Sequence, residues 1–383
     1  MQKDFVWFQS FKVCVFLLPQ DKPNQKMKFR IFLVVLVSSF FVGFISCSNK
    51  SQRSRKPVAK ITMQPKKNQY EFGDSMTISV VVKNKDGALK DSKLYINNEL
   101  VTSSDELEFS YSIANLNVLG KHSIKVLSTK TDGVEGVTFQ SYEVVSDIKP
   151  EQYGYEVVNT YPHNVEHFTQ GLEIHNNKFY ESTGEKGKSG IYQFDLNSGN
   201  ILKSFKMEDE YFGEGITIFN NKIYQLTYKA QKGFVYDLNS FARIDSFTFD
   251  TPEGWGLAHN GTHLIKTDGS EFLHFIDPES YQVVKKIQVY DDKGPVKFLN
   301  ELEFYEGELY ANIWTTNNAV KIDPNTGKVL AKINFEGLLS VLYNPDKPID
   351  VLNGIAIHPD NGKMYITGKL WPHLYEVKLI KKE

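Results

Sequence analysis

One sequence pattern occurs five times in the C-terminal part of the chain and decides its fold. The copies are GLEIHNNKFYESTG (171–184), GITIFNNKIYQLTY (215–228), GLAHNGTHLIKTDG (256–269), ELEFYEGELYANIW (301–314) and GIAIHPDNGKMYITGK (354–369). Each copy reads as a strand, a tight turn built from Asn, Asp, Glu or Gly residues, and a second strand, which is the pattern of a β-hairpin. The repeat therefore predicts five equivalent hairpins.

A second hairpin follows each of the first four copies, as in GIYQFDLNSGNILKSFKM (190–207). Four strands in about 44 residues is the unit of a propeller blade. The fifth copy stops one strand short, at HLYEVKL (373–379), and YGYEVVNTYPH (153–163) precedes the first copy and can supply the missing strand. Such a closure removes open sheet edges. The pattern predicts an all-β five-bladed propeller over 153–383, with an open sandwich array as the alternative.

A smaller β module is predicted ahead of the propeller. Between 58 and 148, short alternating segments such as SMTISVVV (75–82) and HSIKVLS (122–128) are separated by turn residues. About six or seven strands of period two in this length favour a small β-sandwich. The segment resembles bacterial immunoglobulin-like modules. We interpret it as a spacer or docking module, with recognition of a substrate or surface as the alternative.

The N-terminal segment reads as an export signal. From Met27, two basic residues precede a nearly uncharged core over 31–45, which is secretory-signal anatomy and short for a membrane span. Phe44-Ile45-Ser46-Cys47 resembles a bacterial lipobox, which implies cleavage before Cys47 and lipidation of its thiol. Residues 1–26 add nothing to this signal and can be a start-site artefact, and the basic stretch 48–57 is predicted to be a tether. We expect an exported protein anchored in a bacterial membrane, on the periplasmic side or at the cell surface; a plain signal peptide is the alternative.

Composition excludes several classes of protein. The length of 383 residues suggests two folded units, and 41% hydrophobic with 23% charged residues fits a globular chain. Residues 1–60 carry 11 Lys and Arg against 2 Asp and Glu, so the remainder holds a net −11 of the total −2. An acidic body is a poor partner for nucleic acid. The two cysteines, Cys14 and Cys47, precede the body, which excludes a disulfide framework or a cysteine nucleophile there.

Equivalent positions of the repeat indicate a site. The innermost strands of a propeller line its channel, so residues at one repeat position form a ring there. The residues before the five copies are Gln170, Glu214, Trp255, Asn300 and Asn353, and those that end the second strands are Gly184, Tyr228, Gly269, Trp314 and Lys369. We expect both sets near one mouth of the channel. Charges and amides are costly to bury without partners, so this set favours a functional pocket over packing alone.

The inventory of this predicted pocket limits its chemistry. It offers one carboxylate, one ammonium, amides and aromatic rings, but no Ser–His pair and no His or Asp cluster at metal-ligand spacing. A single proton shuttle without metal or cofactor is the expected device. A non-catalytic propeller that binds peptide N-termini is one rival interpretation. A metal-dependent propeller lactonase is another, and the single carboxylate disfavours it.

Seven motifs carry a family resemblance. They are HFTQGL (167–172), YFGEGIT (211–217), EGWGL (253–257), LNELE (299–303), YANIW (310–314), VLNGIA (351–356) and TGKLWP (367–372). They resemble the plant-type glutaminyl cyclases, five-bladed glutaminyl-peptide cyclotransferases that also occur in bacteria. The resemblance implies that the N-terminal Gln of peptides or proteins is cyclised to pyroglutamate with loss of ammonia, without a metal.

The resemblance also implies roles for individual residues. The catalytic acid and base falls on Glu214. Substrate contacts fall on Phe168, Gln170, Trp255, Asn300, Trp314 and Lys369, and the repeat register adds Tyr228 and Asn353. The family commonly has Trp at the position of Tyr228, so this chain keeps an aromatic wall there but gains a hydroxyl.

Overall fold

The computed structural model describes residues 54–339 and 349–383. Within these ranges the chain is all-β, and none of its segments is a helix of the length and apolarity needed to cross a membrane. The leader, Cys47 and most of the predicted tether lie outside the described residues. The described residues group into one compact unit.

Residues 58–145 form a two-layered β-sandwich. Its strands are β1 (Val58–Gln64), β2 (Tyr70–Glu71), β3 (Met76–Lys83), β4 (Leu89–Ile96), β5 (Glu99–Ser104), β6 (Glu108–Ile113), β7 (Gly120–Lys130) and β8 (Glu135–Val145). One layer has the order β1-β3-β6 and the other β2-β8-β7-β4-β5. The sequence indicated six of these strands and missed β2 and β5, because β2 has two residues and the ELVTSS of β5 lacks regular alternation.

Five antiparallel units complete the chain, preceded by β9 (Glu151–Pro162); four of them have four strands of their own and the fifth has three. The first two are β10 (Thr169–His175), β11 (Lys178–Thr183), β12 (Gly190–Phe194) and β13 (Ile201–Lys206), then β14 (Gly213–Phe219), β15 (Lys222–Thr227), β16 (Lys232–Asp237) and β17 (Arg243–Thr248). The third and fourth are β18 (Leu257–His259), β19 (Leu264–Lys266), β20 (Phe272–Ile276) and β21 (Val283–Gln288), then β22 (Leu299–Tyr305), β23 (Glu308–Ile313), β24 (Asn318–Ile322) and β25 (Val329–Asn334). The fifth has β26 (Leu352–Ile357), β27 (Met364–Gly368) and β28 (His373–Lys381).

The N-terminal strand β9 closes the ring. It pairs antiparallel with β28 and so supplies the fourth strand of the fifth blade, as the sequence predicted. It also pairs in parallel with β25, which joins the fourth and fifth blades into one eight-stranded sheet. The innermost strands contact one another in a closed cycle, from β10 through β14, β18, β22 and β26 back to β10. The predicted all-β five-bladed propeller is confirmed.

Buried glutamates connect the innermost strands around the channel. Ile218 donates its backbone N–H to Glu173 at 2.9 Å, and Glu301 accepts from the backbone of Leu172 at 3.2 Å and of Ile355 at 2.8 Å. Ile218 and Ile355 belong to the blades next to those of Glu173 and Glu301, whereas Leu172 lies in the first blade, which does not neighbour the fourth blade of Glu301. These N–H groups would otherwise lack partners on the side that faces the channel. The glutamates therefore connect the blades around the channel, and they were not predicted from the sequence.

The sandwich packs on the propeller through the connection between the third and fourth blades. Tyr290, which follows β21, is fully buried in the apolar core of the sandwich, and its hydroxyl donates to Glu143 at 3.1 Å. Lys328 pairs with Asp147 at 2.7 Å, and its ammonium lies 3.6 Å from the ring centroid of Phe72. This contact anchors the segment that leads into β22, at the start of which lies Asn300.

Candidate active site

A cavity of about 180 Å³ opens at one mouth of the channel. It is lined by residues that lie at the start of the innermost strands or just before it, and by residues just after the second strands, which share one face of the ring. These residues are Phe168, Gln170, Phe212, Glu214, Tyr228, Trp255, Asn300, Trp314, Asp350 and Lys369. Each of the five blades contributes at least one of them, so the cavity exists only in the closed ring.

The structure brings eight of the nine pocket residues named from the sequence into this cavity. The exception is Asn353, which is fully buried beside it and contacts the cavity residue Gln170 instead of the open space. Two lining residues, Phe212 and Asp350, were missed. Phe212 lies two positions before Glu214, in the motif YFGEGIT (211–217). Asp350 lies at the end of the longest connection between blades, where the repeat carries no positional information.

Glu214 is the acid of the cavity. Its side chain is buried, with 4% of the residue exposed, and its Oε1 accepts a hydrogen bond from Nε2 of Gln170 at 3.2 Å. Burial raises the pKa of Glu214 to about 8, although the nearby Lys369 charge lowers it and the Glu253 charge raises it further. A carboxyl group with a pKa near neutrality can both accept and return a proton. The residue thus has the properties of a general acid and base.

Asn353 fixes the orientation of the Gln170 amide. Its Nδ2 donates to the backbone oxygen of Thr169 at 3.0 Å and to Oε1 of Gln170 at 3.2 Å. Because Oε1 of Gln170 is occupied as an acceptor, its NH2 group must point toward Glu214. Asn353 therefore acts on the acid through Gln170, at one remove from the cavity.

Aromatic rings form the wall of the cavity. Trp255 and Trp314 meet edge to face with centroids 5.3 Å apart, and Phe212 lies between Phe168, at 6.0 Å, and Tyr228, at 5.6 Å. Gly269 makes room for this wall, since a Cβ there would lie 2.7 Å from the Trp255 ring and its φ is +79°. The wall excludes water from the acid, which is the cause of its raised pKa.

We expect Trp255→Ala and Trp314→Ala to weaken substrate binding by about 1–3 kcal/mol each, the usual contribution of a buried aromatic contact. The effect of Trp255, at 9% exposed, should exceed that of Trp314, at 37%. The measurement is the KM for the substrate that the resemblance implies, a Gln-initiated peptide, with Phe139→Ala in the sandwich as the matched aromatic control. An unchanged KM in both Trp variants would remove the wall from substrate recognition.

Two further groups are available to a ligand. Lys369 is buried, its Nζ lies 4.8 Å from the ring centroid of Phe168, and burial lowers its pKa. Asn300 is buried with an Oδ1 that has no hydrogen-bond partner in the structure. A buried acceptor without a partner is costly, and a donor on a bound molecule would relieve that cost. The cavity thus offers an ammonium, an open amide and an acid.

A second buried cluster lies behind this wall, at the seam between the fifth and first blades. Glu181 accepts hydrogen bonds from Nε2 of His163 at 3.2 Å, Nδ1 of His167 at 2.6 Å and the hydroxyl of Thr169 at 2.7 Å, while Nδ1 of His163 contacts the backbone oxygen of Trp371 at 2.7 Å. These three potential metal ligands were not predicted from the sequence, because their spacing along the chain matches no metal-binding motif.

The hydrogen bonds define the charge state of this cluster. Both nitrogens of His163 face oxygen acceptors, which requires an imidazolium beside an ionised Glu181. Burial alone would lower the pKa of His163, but Glu181 raises it; burial would raise the pKa of Glu181, but His167 and His163 lower it. Through these hydrogen bonds the cluster is an ion network that holds His163 and His167, and with them the segment that leads to Phe168 and into β10.

The fold and the cavity together define a propeller with an acid–base pocket, and comparisons with known proteins agree with this class. The protein-family description "Glutamine cyclotransferase" matches residues 133–379. The chain is 38% identical over 226 residues to a glutaminyl-peptide cyclotransferase of Arabidopsis thaliana, covering 58% of this chain and 71% of that protein. It resembles the crystal structure of a Myxococcus xanthus glutaminyl cyclase with a TM-score of 0.56 and 33% identity, over 61% of this chain and 100% of that one.

The chain belongs to the glutamine cyclotransferase family and is an enzyme of that type. The resemblance inferred from the seven motifs is thereby confirmed at the level of the family.

Proposed function

We propose that the cavity binds the N-terminal glutamine of a peptide or protein and converts it to pyroglutamate with release of ammonia. The observation that carries this proposal is one buried carboxyl group, Glu214, whose pKa is raised to about 8 inside an aromatic pocket. The reaction moves one proton between two nitrogens of the same residue, so a single group that accepts and returns a proton is sufficient.

Glu214 is the only proton carrier that the reaction requires. The neutral α-amine forms a bond to the γ-carbonyl carbon and gives a proton to the Glu214 carboxylate. The carboxyl group passes that proton to the γ-nitrogen, the bond between this nitrogen and the carbonyl carbon breaks, and ammonia leaves. The carboxylate is regenerated, and the ring amide keeps one hydrogen. Holding amine and carbonyl in contact inside the cavity contributes the proximity term.

The γ-carbonyl oxygen becomes negative during attack and needs a donor. Lys369 and the amides of Gln170 and Asn300 line the same cavity and can supply one. A single donor of this type contributes about 3–4 kcal/mol in other acyl-transfer sites. Because Nε2 of Gln170 already donates to Glu214, the geometry favours Lys369 or Asn300 for this role.

The test is ammonia release from a Gln-initiated dipeptide by the purified protein, with and without a chelator. Stoichiometric ammonia and pyroglutamate, unaffected by the chelator, are expected. Binding without product would instead indicate the peptide-binding propeller, and loss of turnover with the chelator would indicate a metal-dependent reaction. An Asn-initiated dipeptide is the matched control, because its shorter side chain would have to close a strained four-membered ring.

We also propose separate roles for the two β domains of the chain. Residues 153–383 are the catalytic propeller, and residues 58–148 are an immunoglobulin-like module that spaces or docks it. Two layers of strands over 58–145, antiparallel except for the β2–β8 pair, and the burial of Tyr290 in their core support this arrangement. The sequence of residues 27–57 supports lipidation at Cys47 and a basic tether to a bacterial membrane.

Cys47→Ala is expected to move the protein from the membrane fraction to the soluble fraction after expression in a bacterial host. The reason is that the variant lacks the thiol that would carry the lipid. Fractionation followed by immunoblotting measures this, with Cys14→Ala as the matched control that should remain at the membrane. A Cys47→Ala variant that still sediments with membranes would contradict the lipid anchor.

A further inference from the structure

Three nitrogen-bearing side chains form a row across the third blade, outside the active site. Lys266 of β19 lies directly opposite His274 of β20, and His274 lies directly opposite Lys286 of β21. Residues paired in this way share one face of a sheet, where like charges repel. A basic row of this kind is unexpected in a protein body whose net charge is −11.

The first two members of the row are buried with unfilled hydrogen-bonding capacity. Lys266 is fully buried; its Nζ donates to Oγ1 of Thr251 at 2.5 Å and lies 4.7 Å from the ring centroid of Phe249. An ammonium has three donors, and this contact set uses one of them in a hydrogen bond. The pKa of Lys266 is lowered to about 8. Burial is the main cause, the Asp268 charge opposes it, and the Lys286 charge adds to it.

His274 has an open nitrogen. The residue is 2% exposed, and its Nε2 contacts Oδ2 of Asp268 at 2.9 Å, whereas its Nδ1 has no hydrogen-bond partner in the structure. With Nε2–H donated to the carboxylate, the open Nδ1 is an acceptor. Burial lowers the pKa of His274, Asp268 raises it, and the Lys266 and Lys286 charges lower it, which favours this neutral ring. A buried acceptor without a partner carries a desolvation cost that a donor on a ligand would remove.

The row borders a cavity of about 350 Å³ that shares no lining residue with the active site. Lys266, His274 and Lys286 all line it, and Asp250 is the acidic residue at its wall. Lys285 also lines the cavity, but its Nζ lies 5.1 Å from the ring centroid of Phe275 and donates to the backbone oxygen of Asn325 at 3.3 Å, so its ammonium is already engaged. The charges that converge on the space are therefore mainly positive.

We propose that this cavity is a binding site for a small oxyanion, a phosphate or carboxylate group held between Lys266 and Lys286. The anion compensates the repulsion along the row and fills the free donors of the buried ammonium. The hydroxyl of a hydrogen phosphate can in addition donate to the open Nδ1 of His274. The site is independent of the proposed cyclisation, because no residue of the row touches the acid–base pocket.

The test follows thermal unfolding of the full chain while inorganic phosphate or acetate is titrated against chloride at equal ionic strength. A ligand that binds only the folded state raises the unfolding temperature with concentration. We expect a saturable rise with at least one of the two oxyanions. Lys286→Met should require at least tenfold more anion for the same rise, and Lys266→Met should abolish the rise.

The control is Lys178→Met, which removes the same charge from an exposed position of β11 that does not line this cavity and should respond as the wild type does. If Lys266→Met fails to fold, the exposed Lys286 still decides the question, because its truncation removes no buried group. Equal responses to chloride and to both oxyanions in the wild type, or a Lys286→Met response equal to that of Lys178→Met, would overturn the site. Neither result depends on turnover.

Discussion

Glu214→Gln is expected to lower kcat on a Gln-initiated peptide by about 10²–10⁴-fold, the usual contribution of a positioned acid–base group. Glutamine keeps the shape of the side chain and an oxygen that can accept from Nε2 of Gln170, but it cannot carry the proton from the amine to the departing nitrogen. KM should change little, because the aromatic wall and Lys369 remain in place. Ammonia release under saturating peptide is the measurement.

Two observations separate this loss from a loss of fold. The variant should unfold at the wild-type temperature or above it, since it removes a carboxyl group that is costly to ionise in its buried position. Glu210→Gln is the matched control, because Glu210 lies in the loop that leads into β14, is exposed and does not line the cavity. Near-normal ammonia release from Glu214→Gln would take the acid–base role away from this residue.

Repeat register predicted the part of the site that depends on regular strands. Gln170, Glu214, Trp255 and Asn300 occupy one position of four successive copies, and the closed ring brings equivalent positions to one mouth. Asn353 occupies the same position of the fifth copy, yet its amide is held by the backbone of Thr169 in the neighbouring blade. The repeat period specifies where a residue lies along a strand. Whether its side chain reaches the cavity depends on tertiary contacts, here a hydrogen bond to the neighbouring blade.

The residues that the sequence analysis missed depend on contacts that periodicity does not describe. Asp350 reaches the mouth from an irregular connection, and Glu181 meets His163 and His167 only because the fifth and first blades close on each other. The row of Lys266, His274 and Lys286 depends on the pairing register of three short strands. The members of each set come together only in the folded chain. In the sequence they look like ordinary polar residues of strands and loops.

The acidic limb of the pH profile of kcat/KM is expected to move in opposite directions in two variants. This limb reports the ionisation of the free enzyme's base. Lys369 lowers the pKa of Glu214 and Glu253 raises it. Lys369→Met removes the charge that stabilises the carboxylate, so the pKa rises and the limb shifts to higher pH. Glu253→Gln removes a like charge, so the pKa falls and the limb shifts to lower pH.

The two substitutions control for each other, because they remove charges of opposite sign that act on the same carboxyl group. The substrate amine also titrates near pH 8, but it is the same in every assay and cancels in the comparison. Gln at position 253 retains an oxygen that can accept from Nε1 of Trp255, so the wall stays in place. Because Glu214 is mostly protonated at pH 7, Glu253→Gln should increase kcat/KM there, while Lys369→Met should decrease it. A limb that stays fixed, or that moves the same way in both variants, would mean that another group controls the rate.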